Sequence, residues 1–239
     1  MADKEVAVIA GVGEGLGKAL AARFAKGGFE VVIASRDKQK LDRIAKDIGE
    51  GIHVVPTDVT DPKSVKAMFD EAEKIGPLGV AVFNAGNMHA QELLEVEPAM
   101  FEQVWRVTCF AGFLVAQEAA RRMLPNKQGT ILFTGATASM RGRPMTVTFA
   151  SAKAGLRSVA QSVARAFGPE GIHTAHVVID GVIDTQSIKE KMPDVYKRMS
   201  AAGTLMDPAE IAEVYYALHE QAKSAWTFET DIRPGAESF

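Results

Sequence analysis

Short apolar runs alternate with longer segments of helical period along the whole chain, and that alternation leaves few folds open. The spacing predicts strands over Val6–Ala10, Glu30–Ser35, 53–57, 80–84, 130–134, 174–179 and 225–231. Between them it predicts helices near 15–27, 38–48, 62–75, 98–123, 147–168 and 207–220. Strands that recur with a helix between each pair mark a parallel sheet wrapped by helices. Asp61 before Pro62 and Asp207 before Pro208 each set a capping carboxylate ahead of a first-turn proline, which starts a helix. Gly76–Pro77 and Gly168–Pro169 stop one. No linker, repeat or low-complexity stretch breaks the pattern. The expectation is one α/β domain over residues 1–239, with a mostly parallel seven-stranded sheet and helices on both faces.

Composition removes several classes of function. A formal net charge of −3, with no long basic run, argues against a nucleic-acid partner. No apolar stretch reaches about 18 residues, so no membrane span is expected. The opening Met1-Ala2-Asp3-Lys4-Glu5 leads straight into an apolar strand and lacks the order of a secretory leader. The single cysteine, Cys109, excludes an internal disulfide, and no Cys/His cluster has metal-ligand spacing. A reducing cytoplasm is the expected setting, with Cys109 a small buried hydrophobe on a helix.

The first strand runs into Ala10-Gly11-Val12-Gly13-Glu14-Gly15-Leu16-Gly17, where the first helix begins. Missing side chains permit a tight turn and let backbone N–H groups approach a pyrophosphate at a helix N-terminus. Glycines also fill ordinary turns, but their place between the first strand and first helix of a repeating β/α chain points to a dinucleotide. Gly11, Gly15 and Gly17 give the Gly-x-x-x-Gly-x-Gly spacing, and in this the chain resembles the short-chain dehydrogenase/reductase family. The resemblance spans roughly residues 4 to 220 and implies a single-domain Rossmann fold.

Three further segments carry the resemblance. Asp58-Val59 matches the family position where an aspartate meets the adenine edge. Asn84-Ala85-Gly86 matches the segment that lines the cofactor cleft. Asp180-Gly181-Val182-Ile183-Asp184-Thr185 is similar to the Pro-Gly-x-x-x-Thr segment that holds the nicotinamide amide, with aspartate for proline. Taken singly, Asp58 is equally a strand-end cap and Thr185 a helix cap. The second strand bears on cofactor type. An acidic residue at its end grips ribose hydroxyls and repels a 2′-phosphate, but this chain has Ser35 followed by Arg36. A guanidinium fork suits a phosphate, which favours NADP over NAD. The alternative is a solvated arginine at a helix entry, and Glu14 weighs mildly toward NAD because many NADP-preferring relatives are basic there.

The family's active site uses Asn, Ser, Tyr and Lys. Phe149-Ala150-Ser151-Ala152-Lys153 resembles its Tyr-x-x-x-Lys signature with the phenol removed. The serine position falls on Ala136, and the asparagine of the long middle helix aligns with Thr108. Only Lys153 is retained, where the resemblance implies a hydrogen bond to the nicotinamide ribose. A minority subgroup of the family has this combination of phenylalanine and lysine. A phenyl ring can neither give nor take a proton, so a substitute is sought among His89 and the hydroxyls of Thr134, Thr137 and Ser139. An exposed loop histidine and turn-capping hydroxyls are the plainer readings. Arg141 and Arg143 suit either an anionic substrate or a surface role.

Ile188, Met192, Val195, Tyr196 and Met199 share one helical face, either core or a lid. A lid would favour an apolar or aromatic carbonyl substrate. The resemblance further implies a homodimer or homotetramer. Three functions stay open: an NADP-dependent oxidoreductase with an altered proton path, a non-catalytic NADP-binding sensor or interaction protein, and an enzyme of repurposed chemistry.

Overall fold

The structure, a computed structural model, describes residues 4–236. Met1 to Asp3, on which the leader reading rests, and Glu237 to Phe239 lie outside the described residues. The strands are β1 Val6–Ala10, β2 Glu30–Ser35, β3 Ile52–Pro56, β4 Leu78–Phe83, β5 Gly129–Thr134 and β6 Ile172–Ile179, with the short β7 Val182–Ile183 and β8 Leu205–Met206 before β9 Glu229–Ile232. The helices are α1 Leu16–Lys26, α2 Lys38–Ile48, α3 Pro62–Glu73, α4 Pro98–Trp105, α5 Ala111–Met123 and α6 Val147–Phe167, then α7 Gln186–Lys191, α8 Pro193–Ala202 and α9 Pro208–His219. Asp61 and Asp207 cap α3 and α9 as expected, accepting from the N–H groups of Lys63 and Ala209.

Seven strands form one sheet in the order β3-β2-β1-β4-β5-β6-β9, and every pairing is parallel. A parallel sheet covered on both faces buries its central strands, which is why β1 and β4 read as near-continuous apolar runs. Alternate residues serve opposite layers. Val8, Ala81, Phe83 and Phe133 pack with Val65, Phe69, Val115 and Leu156 from α3, α5 and α6. Ile9, Ile33, Val82 and Val177 pack with Leu20, Phe24, Ile44 and Tyr215 from α1, α2 and α9. Each Val, Leu, Ile or Phe among them, fully buried, contributes about 1.5–3 kcal/mol. β1 lies between β2 and β4, so the winding reverses there and a crevice opens beyond their C-terminal ends.

Three expectations need correction. The final strand is Glu229–Ile232 and not 225–231, because Lys223–Ala225 forms a turn of 3₁₀ helix. Gln221 then holds the following residues off the sheet, accepting from Trp226 Nε1 and the Thr227 N–H. The helix near 98–123 is two α-helices joined by a π turn over Arg106–Phe110, and Thr108 and Cys109 are buried in that turn. The apolar face from Ile188 to Met199 is broken at Met192–Pro193 into α7 and α8, with none of its residues fully buried, so it is not core.

Candidate functional site

The crevice at the winding reversal is a cleft of about 1000 Å³. Its floor and walls include Gly11, Gly13, Ser35, Arg36, Asp58, Val59, Asn84, Ala85 and Gly86, which brings together four segments picked out in the sequence. Each stands at the C-terminal end of a strand, because parallel strands deliver all their exits to the same edge.

The glycine turn fits a close ligand. Gly11 has φ +97°, and a Cβ there would meet the Ala85 nitrogen at 2.4 Å. Gly17 lies against the Val12 Cα and the Gly11 carbonyl at the start of α1, where a side chain would push the helix off the strand. Leu16 is buried beneath them. Gly15 touches the Thr185 methyl, so the 180–185 segment does come to the turn, and Thr185 also caps α7 by accepting from the Ile188 N–H. Glu14 pairs with Lys18 at 3.5 Å on α1. Gly181 packs on Met206 and Pro234, and Ile183 joins the second core layer.

At the end of β2, Ser35 Oγ is buried without a partner, and Arg36 stands exposed beside it. Lys40 also lines the cleft, with its ammonium over Gly13, 3.4 Å from where a Cβ would sit. No carboxylate among the described residues pairs with Arg36 or Lys40 at ion-pair distance, although the neighbouring Lys38 and Lys18 are paired with Asp42 and Asp47. Sequence reasoning missed Lys40; its signal was a spacing of four from Arg36, one helical turn into α2. Asp58 accepts from the Thr60 hydroxyl and N–H, and these bonds hold its carboxyl below the usual carboxylate range, with Arg36 and Arg106 adding to the effect.

A second group of the sequence-predicted residues gathers around Lys153. Its ammonium is buried and donates to the Thr134 carbonyl at 2.7 Å. Burial pulls its pKa down to about 8. Phe149 stands one helical turn earlier, its ring centroid 5.7 Å from Lys153 Nζ. Thr108 Oγ1 is buried without a partner, and a Cβ on Gly86 would lie within 3.6 Å of both Thr108 Oγ1 and Lys153 Nζ. Thr108, Gly86 and Lys153 therefore share one polar corner, and the π turn is what presents Thr108 there.

The hydroxyls beside Ala136 are already engaged. Thr134 donates to Asn84, Thr137 donates to Asp180, and Ser139 Oγ accepts the Ala136 N–H. Asp180, standing for the family's proline, thereby ties the β5 exit to the β6 exit. His89 is half-buried, with Nδ1 3.2 Å from Thr148 Oγ1, so it rests on α6 next to Phe149 and is not a loose loop residue. Arg141 and Arg143 are exposed. Among the described residues no cluster of His, Cys, Asp or Glu is placed to hold a metal, and no helix is long and apolar enough to cross a membrane.

Comparison with known proteins agrees with this geometry. A crystal structure of a short-chain dehydrogenase from Rhodopseudomonas palustris is 39% identical, with a TM-score of 0.84 over 98% of this chain and 100% of that one. The short chain aldehyde dehydrogenase 1 of Euphorbia lathyris is 30% identical over 237 residues, 95% of this chain and 82% of its own. The actinorhodin polyketide ketoreductase, crystallised with NADPH, shares the fold at a TM-score of 0.89 with 22% identity, covering 100% of both chains. The short chain dehydrogenase family itself matches residues 5–195. With the glycine turn, the Asn84-Ala85-Gly86 exit and Lys153 meeting at one sheet edge, the chain belongs to the short-chain dehydrogenase family of oxidoreductases.

Proposed function

We propose that this protein is an NADP(H)-dependent oxidoreductase acting on a small, apolar or aromatic carbonyl or alcohol, with a proton path that differs from the family's. The observation that carries the cofactor is the end of β2, where an orphaned buried hydroxyl and two cations without carboxylate partners face one cleft. That is the chemistry of a phosphate monoester site. The glycine turn and the start of α1 would hold the pyrophosphate, Asp58 and Val59 the adenine, and the segment from Gly181 through Ile183 to Thr185 the nicotinamide amide. Lys153 and Thr108 would meet the nicotinamide ribose, which would satisfy the orphaned Thr108 hydroxyl. The NADPH held by the ketoreductase of the same fold supports this assignment.

When bound, NADPH supplies a hydride to the carbonyl carbon, and the oxygen then needs a proton. Phe149 and Ala136 supply none. Burial brings the pKa of the Lys153 ammonium at the polar corner down to about 8, which suits a proton donor. His89 is the second donor in reach of that wall. Loss of a positioned acid costs roughly 10²–10⁴-fold in rate, so the native turnover is slow. A non-catalytic cofactor-binding sensor would show no turnover, and the apolar pair Ala136 and Phe149 is the feature that favours that second reading.

The experiment is NADPH-dependent reduction across a panel of aromatic and aliphatic carbonyls, before and after the double change Ala136→Ser with Phe149→Tyr. Restoring the phenol beside Lys153 raises reduction about ten-fold or more if the site is a reductase site. A protein inactive in both forms shifts the assignment to the sensor. A reducing cytoplasm and assembly into a homodimer or homotetramer complete the proposal. The shallow apolar groove between α5 and α6, lined by Phe113, Ala116, Leu124, Val163 and Phe167, is the face assigned to that assembly.

A further inference from the structure

One string of hydrogen bonds runs from the outer helix layer to the glycine turn. Tyr215 on α9 is fully buried in the second core layer, where a phenol must find a partner. Its oxygen lies 2.8 Å from Thr134 Oγ1, which lies 3.0 Å from Asn84 Oδ1, and Asn84 Nδ2 lies 2.9 Å from the Gly11 carbonyl. The direction of every bond follows from the last one. A carbonyl can only accept, so Asn84 must turn its amide nitrogen to Gly11 and its oxygen to Thr134. Thr134 must give its one proton to that oxygen. Only the Tyr215 hydroxyl remains to donate to Thr134. The backbone carbonyl of the same Thr134 receives the Lys153 ammonium at 2.7 Å. At the far end a Cβ on Gly11 would lie 2.4 Å from the Ala85 nitrogen and 2.8 Å from the Asn84 carbonyl carbon, so the turn runs directly against the backbone that carries Asn84.

A phenyl ring would fill the same space in the core, so packing does not account for the hydroxyl. We propose that Tyr215 is a positioning residue for the cofactor cleft, fixing through Thr134 and Asn84 both the Gly11 turn and the strand end that holds Lys153. This rests on the reading of the cleft as a dinucleotide site.

Tyr215→Phe keeps the ring and removes only the donor. In the ligand-free protein, backbone amides of residues 11–17 should exchange with deuterium about three- to ten-fold faster. NADPH, titrated at a temperature where the variant is folded, should bind about three- to ten-fold more weakly. Thr134→Val removes the middle of the string, and the double variant should bind NADPH no worse than Thr134→Val alone. Tyr215→Phe that melts lower yet keeps wild-type exchange at 11–17 and wild-type NADPH affinity would reduce Tyr215 to core packing and overturn the proposal. If Tyr215→Phe fails to fold, Thr134→Val carries the exchange test, and an unchanged turn overturns the proposal equally. Wild-type protein that binds no NADPH defeats the cofactor reading, while the exchange arm still decides on Tyr215.

Discussion

Lys153 shows how a buried charge can cost stability. Its pKa falls to about 8 because the ammonium is desolvated. The sign follows from that direction. Above the unfolded value of about 10.4 the group is neutral in both states, and below the folded value it is charged in both, so folding at neutral pH carries the full desolvation cost. Lys153→Met should therefore leave the melting temperature unchanged or raise it by the equivalent of about 1 kcal/mol, although the Thr134 carbonyl loses its donor. The same variant should bind NADPH more weakly. A lower melting temperature together with unchanged affinity would make Lys153 a structural residue. This double effect was half legible in the sequence. The Lys153 position came from its spacing to Phe149, but its burial and its bond to Thr134 came only with the packing of α6 on β5.

The elements differ in how far their residues announced them. The glycine turn, the Asp61 and Asp207 caps and the first six strands are local chemistry, and the structure has them within two residues of where the spacing put them. The π turn at Arg106–Phe110 is not local. Helical period runs on through it, and only the packing of α4 and α5 on α6 calls for the extra residue. Tyr215 and Lys40 were missed for a similar reason, since each sits in an ordinary helix and acquires its role from a neighbouring strand. β6 makes its own contribution to pH behaviour. His176 is fully buried there, and burial holds its pKa down at about 4 despite the Glu229 carboxylate 3.0 Å from Nδ1. His173 and His219 are lowered too, again by burial. All three folded values lie below the unfolded value of about 6.5, so the stability contributed by these neutral imidazoles is fully present above that pH and is lost as pH falls through the folded values, about 4 for His176. His176 alone should remove about 3 kcal/mol across that window. Melting curves between pH 7.5 and 4.5 should show the loss, and His176→Asn should flatten it. A stability independent of pH over this range would contradict the burial of these imidazoles.

For the molecule as a whole, the parallel sheet was the most legible property and assembly the least. The alternation of runs dictated a parallel sheet, and burial on both faces made all seven strands parallel. The apolar face from Ile188 to Met199 was legible only in outline, because its period runs on through the break at Met192–Pro193 that separates α7 from α8. The groove between α5 and α6 exposes Phe113 at 41% beside Leu124 and Phe167. Phe113→Glu, which places a charge in that apolar groove, should shift the protein to monomer in light scattering while leaving its circular dichroism unchanged. An unchanged mass would remove this face from the assembly. The central claim, that the end of β2 is a 2′-phosphate site, is tested most directly by titrating the wild-type protein with NADPH and with NADH. Ser35, Arg36 and Lys40 predict tighter NADPH binding by about ten-fold or more, a gap that narrows in Arg36→Ala and in Lys40→Ala. Equal affinities for the two dinucleotides in the wild-type protein would contradict it.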